Sequence, residues 1–427
     1  MGGRFKTLAS FAALSAVPLG LASAQTAQPA GQAAQAPKAN PPAAASTAAP
    51  AADAPAAPIV YPPLVWTPRD AEDLLAFIQT IGAEGLNPLD YDPGGLASAL
   101  KSGSVAAISQ AASDRFNRVS TDLALGHVPR EARQGWYIAD KDLNDERRHM
   151  LMQSALEQHR VADALLGLLP THPQYGALKN ALMVAPKSEQ AKLNRIRLNM
   201  DRWRWLPRDL GDRYIIVNIP AYHVALVEGG ETKWRQKAIA GAVKTPTPMI
   251  SATATGVILN PWWEVPKSIE PEVRGRPGYV PVKGKDGKVQ RWRQPPGPAN
   301  ALGQVKFVMY NPQSIYLHDT NARSRFNSQV RSLSHGCIRT QNVLDLSAKL
   351  LAEDGGEWDR AKINATLKSG KSVQANFVKP LPVYIVYFSS AAALDGKIID
   401  YADIYKRDAK VMSALLDGPR KTQVATR

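Results

Sequence analysis

Between Trp205 and Tyr214 the chain changes period, and that change constrains its fold more than any other feature. Before it, apolar residues recur at helical spacing. Thr67-Pro68-Arg69-Asp70 has the form of an N-cap, a proline at the first helical position and an acid at the third. Leu74, Leu75, Phe77, Ile78 and Ile81 follow at helical spacing. Similar patterns predict helices over about 105–125, 145–169 and 174–202, broken by Gly126, Pro170 and Pro186, with Asn144 as a cap. After the change, YIIVNIP at 214–220 and YHVALVEGG at 222–230 are β-branched and aromatic. Strand-like pieces follow at about 233–240, 254–260, 305–309, 314–318 and 383–388, with one helix at about 341–353. The expected class is therefore α+β. A helical domain fills 59–205, a mostly-β domain fills 212–389, and 390–427 is a C-terminal tail.

The first residues carry a different message. Arg4 and Lys6 precede an apolar stretch from Leu8 to Leu21, and Ala22-Ser23-Ala24 is a small-x-small cleavage site. Residues 1–24 read as a cleavable secretory signal, which predicts a periplasmic protein with no membrane span after cleavage. Residues 25–58 are almost entirely Ala, Pro, Gln and Thr, a composition that cannot bury a core and reads as a disordered spacer. The net charge of +15 would ordinarily suggest nucleic acid. An export signal argues against that partner, and a carboxylate-rich extracellular material fits better.

Within the β domain, residues 266–304 form an insertion rich in Pro, Gly, Lys and Arg, with Tyr279 and Trp292 interspersed. A long loop without regular structure is commonly functional, and this one reads as a lid.

The chemistry concentrates in Ser334-His335-Gly336-Cys337-Ile338-Arg339, which holds the one cysteine in 427 residues. A single thiol cannot form an internal disulfide and is a liability in an oxidising compartment, so its retention points to chemistry. His318 lies nineteen positions earlier, in Tyr316-Leu317-His318-Asp319. A thiol needs a base or a lowered pKa to act as a nucleophile, and His318 is the candidate base. A backbone carbonyl near Asp319 could fix its tautomer. The N–H groups of Gly336 and Cys337 could stabilise an oxyanion, with Ser334 as a hydrogen-bonding support. Arg339 offers a two-pronged contact to a substrate carboxylate. His335, Cys337 and His318 could instead ligate a metal, but no fourth ligand is visible, and no metal or organic cofactor is expected. His127, His149, His159 and His172 are scattered and read as structural or surface residues.

A histidine, a gap of about fifteen residues, then Ser-His-Gly-Cys is the hallmark of the L,D-transpeptidases (the YkuD family), and residues 214–388 resemble their catalytic domain. The resemblance extends to the long-lid, YcbB-like branch through NMDRWRWLP at 199–207, VNIPAY at 217–222, KTPTPMISA at 244–252, NPWWEVPKSI at 260–269, the 295–320 run and PVYIVYF at 382–388. The helical part resembles that branch's scaffold domain. The resemblance implies a β-sandwich-like catalytic domain acting on peptidoglycan stem peptides. Cys337 would attack the third residue of a tetrapeptide stem, usually diaminopimelate. D-alanine would leave, and an amine of a second stem would resolve the thioester into a cross-link. His318 would move the protons, His335 would lie beside the thiol, and Tyr316, Trp262 and Trp263 would line the groove. Tyr175-Gly176-Ala177-Leu178 runs almost directly into Asn199-Met200-Asp201-Arg202-Trp203, so the peptidoglycan-binding module common in this branch is missing. Two alternatives stay open: an L,D-carboxypeptidase or hydrolase of the same fold, and a non-catalytic wall-binding scaffold.

Overall fold

The computed structural model describes residues 61–139, 142–393 and 397–417. The expected signal and spacer lie outside them. The helical part opens with α1 (Pro68–Thr80), where Thr67 Oγ1 accepts from Asp70 N at 3.2 Å and donates to the Asp70 carboxylate at 2.6 Å. Those bonds meet first-turn groups that a helix leaves unpaired. With α2 (Pro93–Ser102) and α3 (Val105–Leu125), α1 closes on a core of Trp66, Leu74, Ile78, Phe116 and Leu123. The stretch expected as one helix over 145–169 is two, α4 (Asp145–Glu157) and α5 (Val161–Leu166). His159 takes a left-handed backbone conformation between them, with φ 53°. Its Nδ1 lies 3.0 Å from the buried carboxylate of Asp70. Pro186 separates α6 (Pro173–Val184) from α7 (Gln190–Trp203).

The β part begins with β1 (Arg213–Asn218), β2 (His223–Glu228), β3 (Glu231–Gly241) and β4 (Ile250–Leu259). The lid segment follows as β5 (Trp263–Glu264), α8 (Glu270–Val273), β6 (Val280–Lys283) and β7 (Val289–Gln294). Then come β8 (Val305–Met309), β9 (Leu317–His318), β10 (Ser332–Ser334), β11 (Ile338–Thr340) and α9 (Val343–Glu353). The chain ends through α10 (Arg360–Ser369), β12 (Val373–Val386), β13 (Ser390–Ala392), β14 (Ile398–Asp400) and α11 (Asp408–Leu416).

The main sheet runs β10-β3-β11-β9-β8-β4-β12-β1-β2, and β2 pairs again with β3, so the sheet closes on itself. Its inner face packs Ile215, Val224, Val257, Phe307, Leu317, Ile338 and Val383 into one core with Val343 and Leu346 of α9. Leu178 of α6 and Ile196, Met200 and Trp203 of α7 belong to that same core. Packing is therefore continuous across the boundary expected near 205–212, and residues 61–417 form one compact unit.

Two expectations need revision. The lid segment is not irregular: β5, β7 and β6 form a small sheet, and Val265, Ile269 and Val273 pack with Trp263, Tyr279 and Trp292 into a core of their own. Its strands are too short and its turns too glycine-rich for a period to stand out. The described part of the segment expected as a C-terminal tail is folded. Its β13–β14 hairpin and α11 dock on α6 and α7, where Arg202 Nη2 meets Asp408 Oδ1 at 2.7 Å. Among the described residues no helix is long and apolar enough to cross a membrane.

Candidate active site

Strands β9 and β11 run parallel, with Leu317 opposite Ile338 and His318 opposite Arg339. Leu317 and Ile338 are fully buried. Strand alternation therefore turns Tyr316, His318, Cys337 and Arg339 to the other face. The eighteen residues between His318 and Cys337 include a 3-10 turn (Arg323–Asn327) and β10, after which the chain returns to lie beside β9. Lys306 of β8 sits opposite His318 on its other side. Lys306, His318 and Arg339 thus form one cross-strand row, with Tyr316 and Cys337 in the row beside it.

Cys337 is half-buried and its sulfur lies 3.7 Å from Ser314 O. Burial pushes its pKa up. The Tyr316 backbone N–H, the Tyr316 hydroxyl, Lys306 and Arg339 act in the opposite direction. His318 is 4% exposed and its pKa is lowered to about 3, first by burial and then by the charge of Arg339, with Lys306 contributing. The Asp319 and Leu302 backbones favour its protonated form, although no acceptor meets Nδ1 at full hydrogen-bond geometry. Both shifts favour the uncharged forms, a neutral imidazole and a protonated thiol. The neutral imidazole is the form of His318 that can accept a proton.

The cysteine loop is fixed from beneath. Gly336 has φ +118°, a backbone conformation that favours glycine. Its N–H donates to Ser334 Oγ at 3.1 Å, and Ser334 Oγ donates to Cys337 O at 2.6 Å. The Gly336 N–H is therefore occupied and is not one of two open oxyanion donors. Among the described residues the Cys337 N–H meets no acceptor. Thr247, fully buried, donates to Gly336 O at 2.7 Å and accepts from Gly241 N at 2.9 Å. Tyr405 donates to Gly241 O at 2.6 Å and accepts from Thr247 N at 3.2 Å. A residue expected in the C-terminal tail thus braces the loop that carries the cysteine.

Other candidate residues take different places. His335 Nε2 lies 3.2 Å from the Glu272 carboxylate of α8, in the lid segment. Among the described residues no group of three or more His, Cys, Asp or Glu side chains converges to hold a metal ion. The Asp319 carboxylate faces away from His318, accepting from Gln304 N at 3.0 Å and Arg323 at 2.8 Å. Trp263 packs edge-on against Tyr279 in the lid core, and its indole acts on the Tyr316 hydroxyl. Trp262 is partly exposed under the Arg293 guanidinium, 4.2 Å from its ring. Tyr316 meets the His318 ring edge-on at 5.6 Å.

Three residues at this site were invisible as site residues in the sequence: Lys306, Thr247 and Tyr405. Thr247 and Lys306 stand inside the runs at 244–252 and 295–320, the available signal for them. Tyr405 has none, since its partners are more than 150 residues away in sequence.

Residues 212–373 match the family model for the L,D-transpeptidase catalytic domain, YkuD, and residues 61–182 match the model for a scaffold domain. A Haemophilus influenzae protein with the name "Putative L,D-transpeptidase" is 29% identical over 303 residues, covering 64% of this chain and 60% of that protein. The chain thus spans about 60% of the length of that curated relative. Among solved structures, an L,D-transpeptidase from Mycobacterium smegmatis is 15% identical over 41% of this chain and 58% of its own, with a TM-score of 0.22. The catalytic domain of the E. faecium enzyme, acylated by ertapenem, is 16% identical over 41% of this chain and 97% of its own, with a TM-score of 0.20.

Proposed function

From a chain that carries an L,D-transpeptidase catalytic domain of the YkuD family together with a scaffold domain, we propose a cysteine-dependent peptidoglycan transpeptidase that works outside the cytoplasm. The observation that carries this reading is the placement of the lone thiol and a neutral histidine on one face of adjacent strands.

In the proposed reaction, His318 takes the thiol proton as Cys337 Sγ attacks the diaminopimelate carbonyl of a tetrapeptide stem. The carbonyl oxygen becomes an oxyanion, and the Cys337 N–H is the donor nearest at hand. On collapse, the C–N bond to D-alanine breaks and His318 returns the proton to the leaving amine, leaving a thioester. An amine of a second stem then attacks that thioester. His318 takes the amine proton, the C–S bond breaks, and the thiol is reprotonated. Arg339 and the aromatic residues Tyr316, Trp262 and Trp263 line the approach to the sulfur in this scheme. Whether the join runs between two third residues or from a first to a third is set by the acceptor.

The test is incubation of the purified protein with disaccharide-tetrapeptide muropeptides, followed by mass spectrometry. A dimer that has lost one alanine supports transpeptidation, and its fragments identify the joined residues. Tripeptide monomer without dimer would move the assignment to a carboxypeptidase. No product, with retained binding to sacculi, would move it to a non-catalytic scaffold.

A further inference from the structure

Two cations flank the candidate base without a carboxylate of their own. Among the described residues neither Lys306 nor Arg339 forms a salt bridge, and Arg339 Nε is buried with no hydrogen-bond partner. Glu264, the carboxylate that acts on Lys306, is itself bonded to Arg291 at 2.9 Å. A partly buried charge without a counter-ion is costly, so the pair is a standing preference for negative charge close by. His318 lies between the two cations, and Cys337 lies in the row beside them. Lys306 is placed there by two geometric facts. It lies opposite His318 in the β8–β9 register, and its Nζ sits 4.0 Å from the centre of the Tyr316 ring. Tyr316 in turn stands opposite Cys337 where the β9–β11 register continues, and its hydroxyl and backbone act to lower the thiol's pKa.

We propose that Lys306 is a positioning residue for this site: it holds the Tyr316 ring against Cys337 and, with Arg339 across His318, favours an anion at the sulfur over a cation on the imidazole. The inference deepens the reading of Cys337 as the nucleophile. The groups facing the sulfur are Lys306 from β8, Tyr316 and His318 from the β9 segment, and Arg339 from β11. Trp263 and Glu264 of the lid act on Tyr316 and Lys306, and Arg325 acts on Arg339. Among them Lys306 is the one cation that also contacts the aromatic ring at the thiol. Its cation–π contact and its charge therefore act on the same sulfur.

The experiment measures alkylation of Cys337 by iodoacetamide in the intact protein as a function of pH, read by mass spectrometry. The chain has one cysteine, so the adduct is unambiguous. K306M should raise the midpoint by roughly half a unit to one unit, a three- to tenfold slower reaction near neutral pH. K306R should stay close to the parent protein. If K306M loses its cooperative melt, K306Q takes its place in the same comparison. Profiles that coincide for the parent and the neutral variant overturn the proposal. So does a K306R shift equal to that of the neutral variant, because charge would not be the cause. Alkylation is read without substrate. A shifted profile in a protein that turns over no stem peptide would therefore uphold Lys306 and defeat the function, and turnover with unshifted profiles would do the reverse.

Discussion

His335, two residues before the thiol, meets Glu272 of α8, with Nε2 3.2 Å from the carboxylate. A histidine in the cysteine motif is thus tied to the lid segment. Both side chains are about half exposed, 45% and 54%, so the contact is worth at most about 1 kcal/mol. Glu272→Gln is expected to leave the melting temperature unchanged and to alter turnover by less than about tenfold. His335→Ala is expected to behave alike. A loss of about a thousandfold in either variant, measured as kcat/KM on tetrapeptide muropeptides, would place His335 in the chemistry and not in lid docking.

His318 supplies a second prediction. Its pKa is lowered to about 3, so the imidazole stays neutral throughout pH 5–8. Acylation of Cys337 should show no acid limb near the ordinary histidine value, and the rate should hold steady as pH falls from 8 to 5. His318→Ala should lower the rate at neutral pH by about a hundredfold or more, and Cys337→Ala should abolish turnover while keeping a cooperative melt. A limb between pH 6 and 7 that persists in His318→Ala would remove His318 from the role of base.

The same burial has a consequence for stability. A histidine whose folded pKa is depressed contributes stability that is present above the unfolded value of about 6.5 and lost as pH falls through the folded value. His318 has that sign, and so do His172 and His223, each lowered to about 4 chiefly by burial. His127 has the opposite sign. Burial opposes its charge, but the hydrogen bond and charge of Asp122, joined by Asp201 and Asp90, raise its pKa. Its contribution is complete below pH 6.5 and is lost as pH rises through the folded value. His127→Gln should therefore cost more melting temperature at pH 6 than at pH 9. An equal cost at both would mean that the His127–Asp122 contact at 2.6 Å does not act through charge.

Thr247 joins two backbone groups beneath the cysteine, Gly336 O at 2.7 Å and Gly241 N at 2.9 Å. Thr247→Val keeps the volume but leaves both groups buried without that partner. The expected cost is about 1–3 kcal/mol, together with a loss of turnover as the Gly336–Cys337 backbone shifts. Denaturant unfolding and the iodoacetamide rate at Cys337 check the two parts. An unchanged melt with unchanged alkylation would show that the loop holds its shape without the hydroxyl.

Local order was legible because it is written in short-range pattern. The Thr67 cap, the span of α3 and the runs that became β1 and β2 each rest on residues a few positions apart. The lone Cys337, the spacing back to His318 and the glycine before the thiol are likewise properties of the string. The lid sheet, α10 and the β13–β14 hairpin were not legible, because their strands and helix are short and their stability comes from packing on distant residues. Tertiary structure alone decided which side chains meet. The register of β9 against β11 sets His318 beside Arg339. The β8–β9 pairing adds Lys306, a lid helix takes up His335, and Tyr405 arrives from the far end of the chain to brace Thr247. The physical reason is that electrostatics and hydrogen bonds act across a few ångströms of space. Sequence separation carries no information about that distance until the sheet has closed.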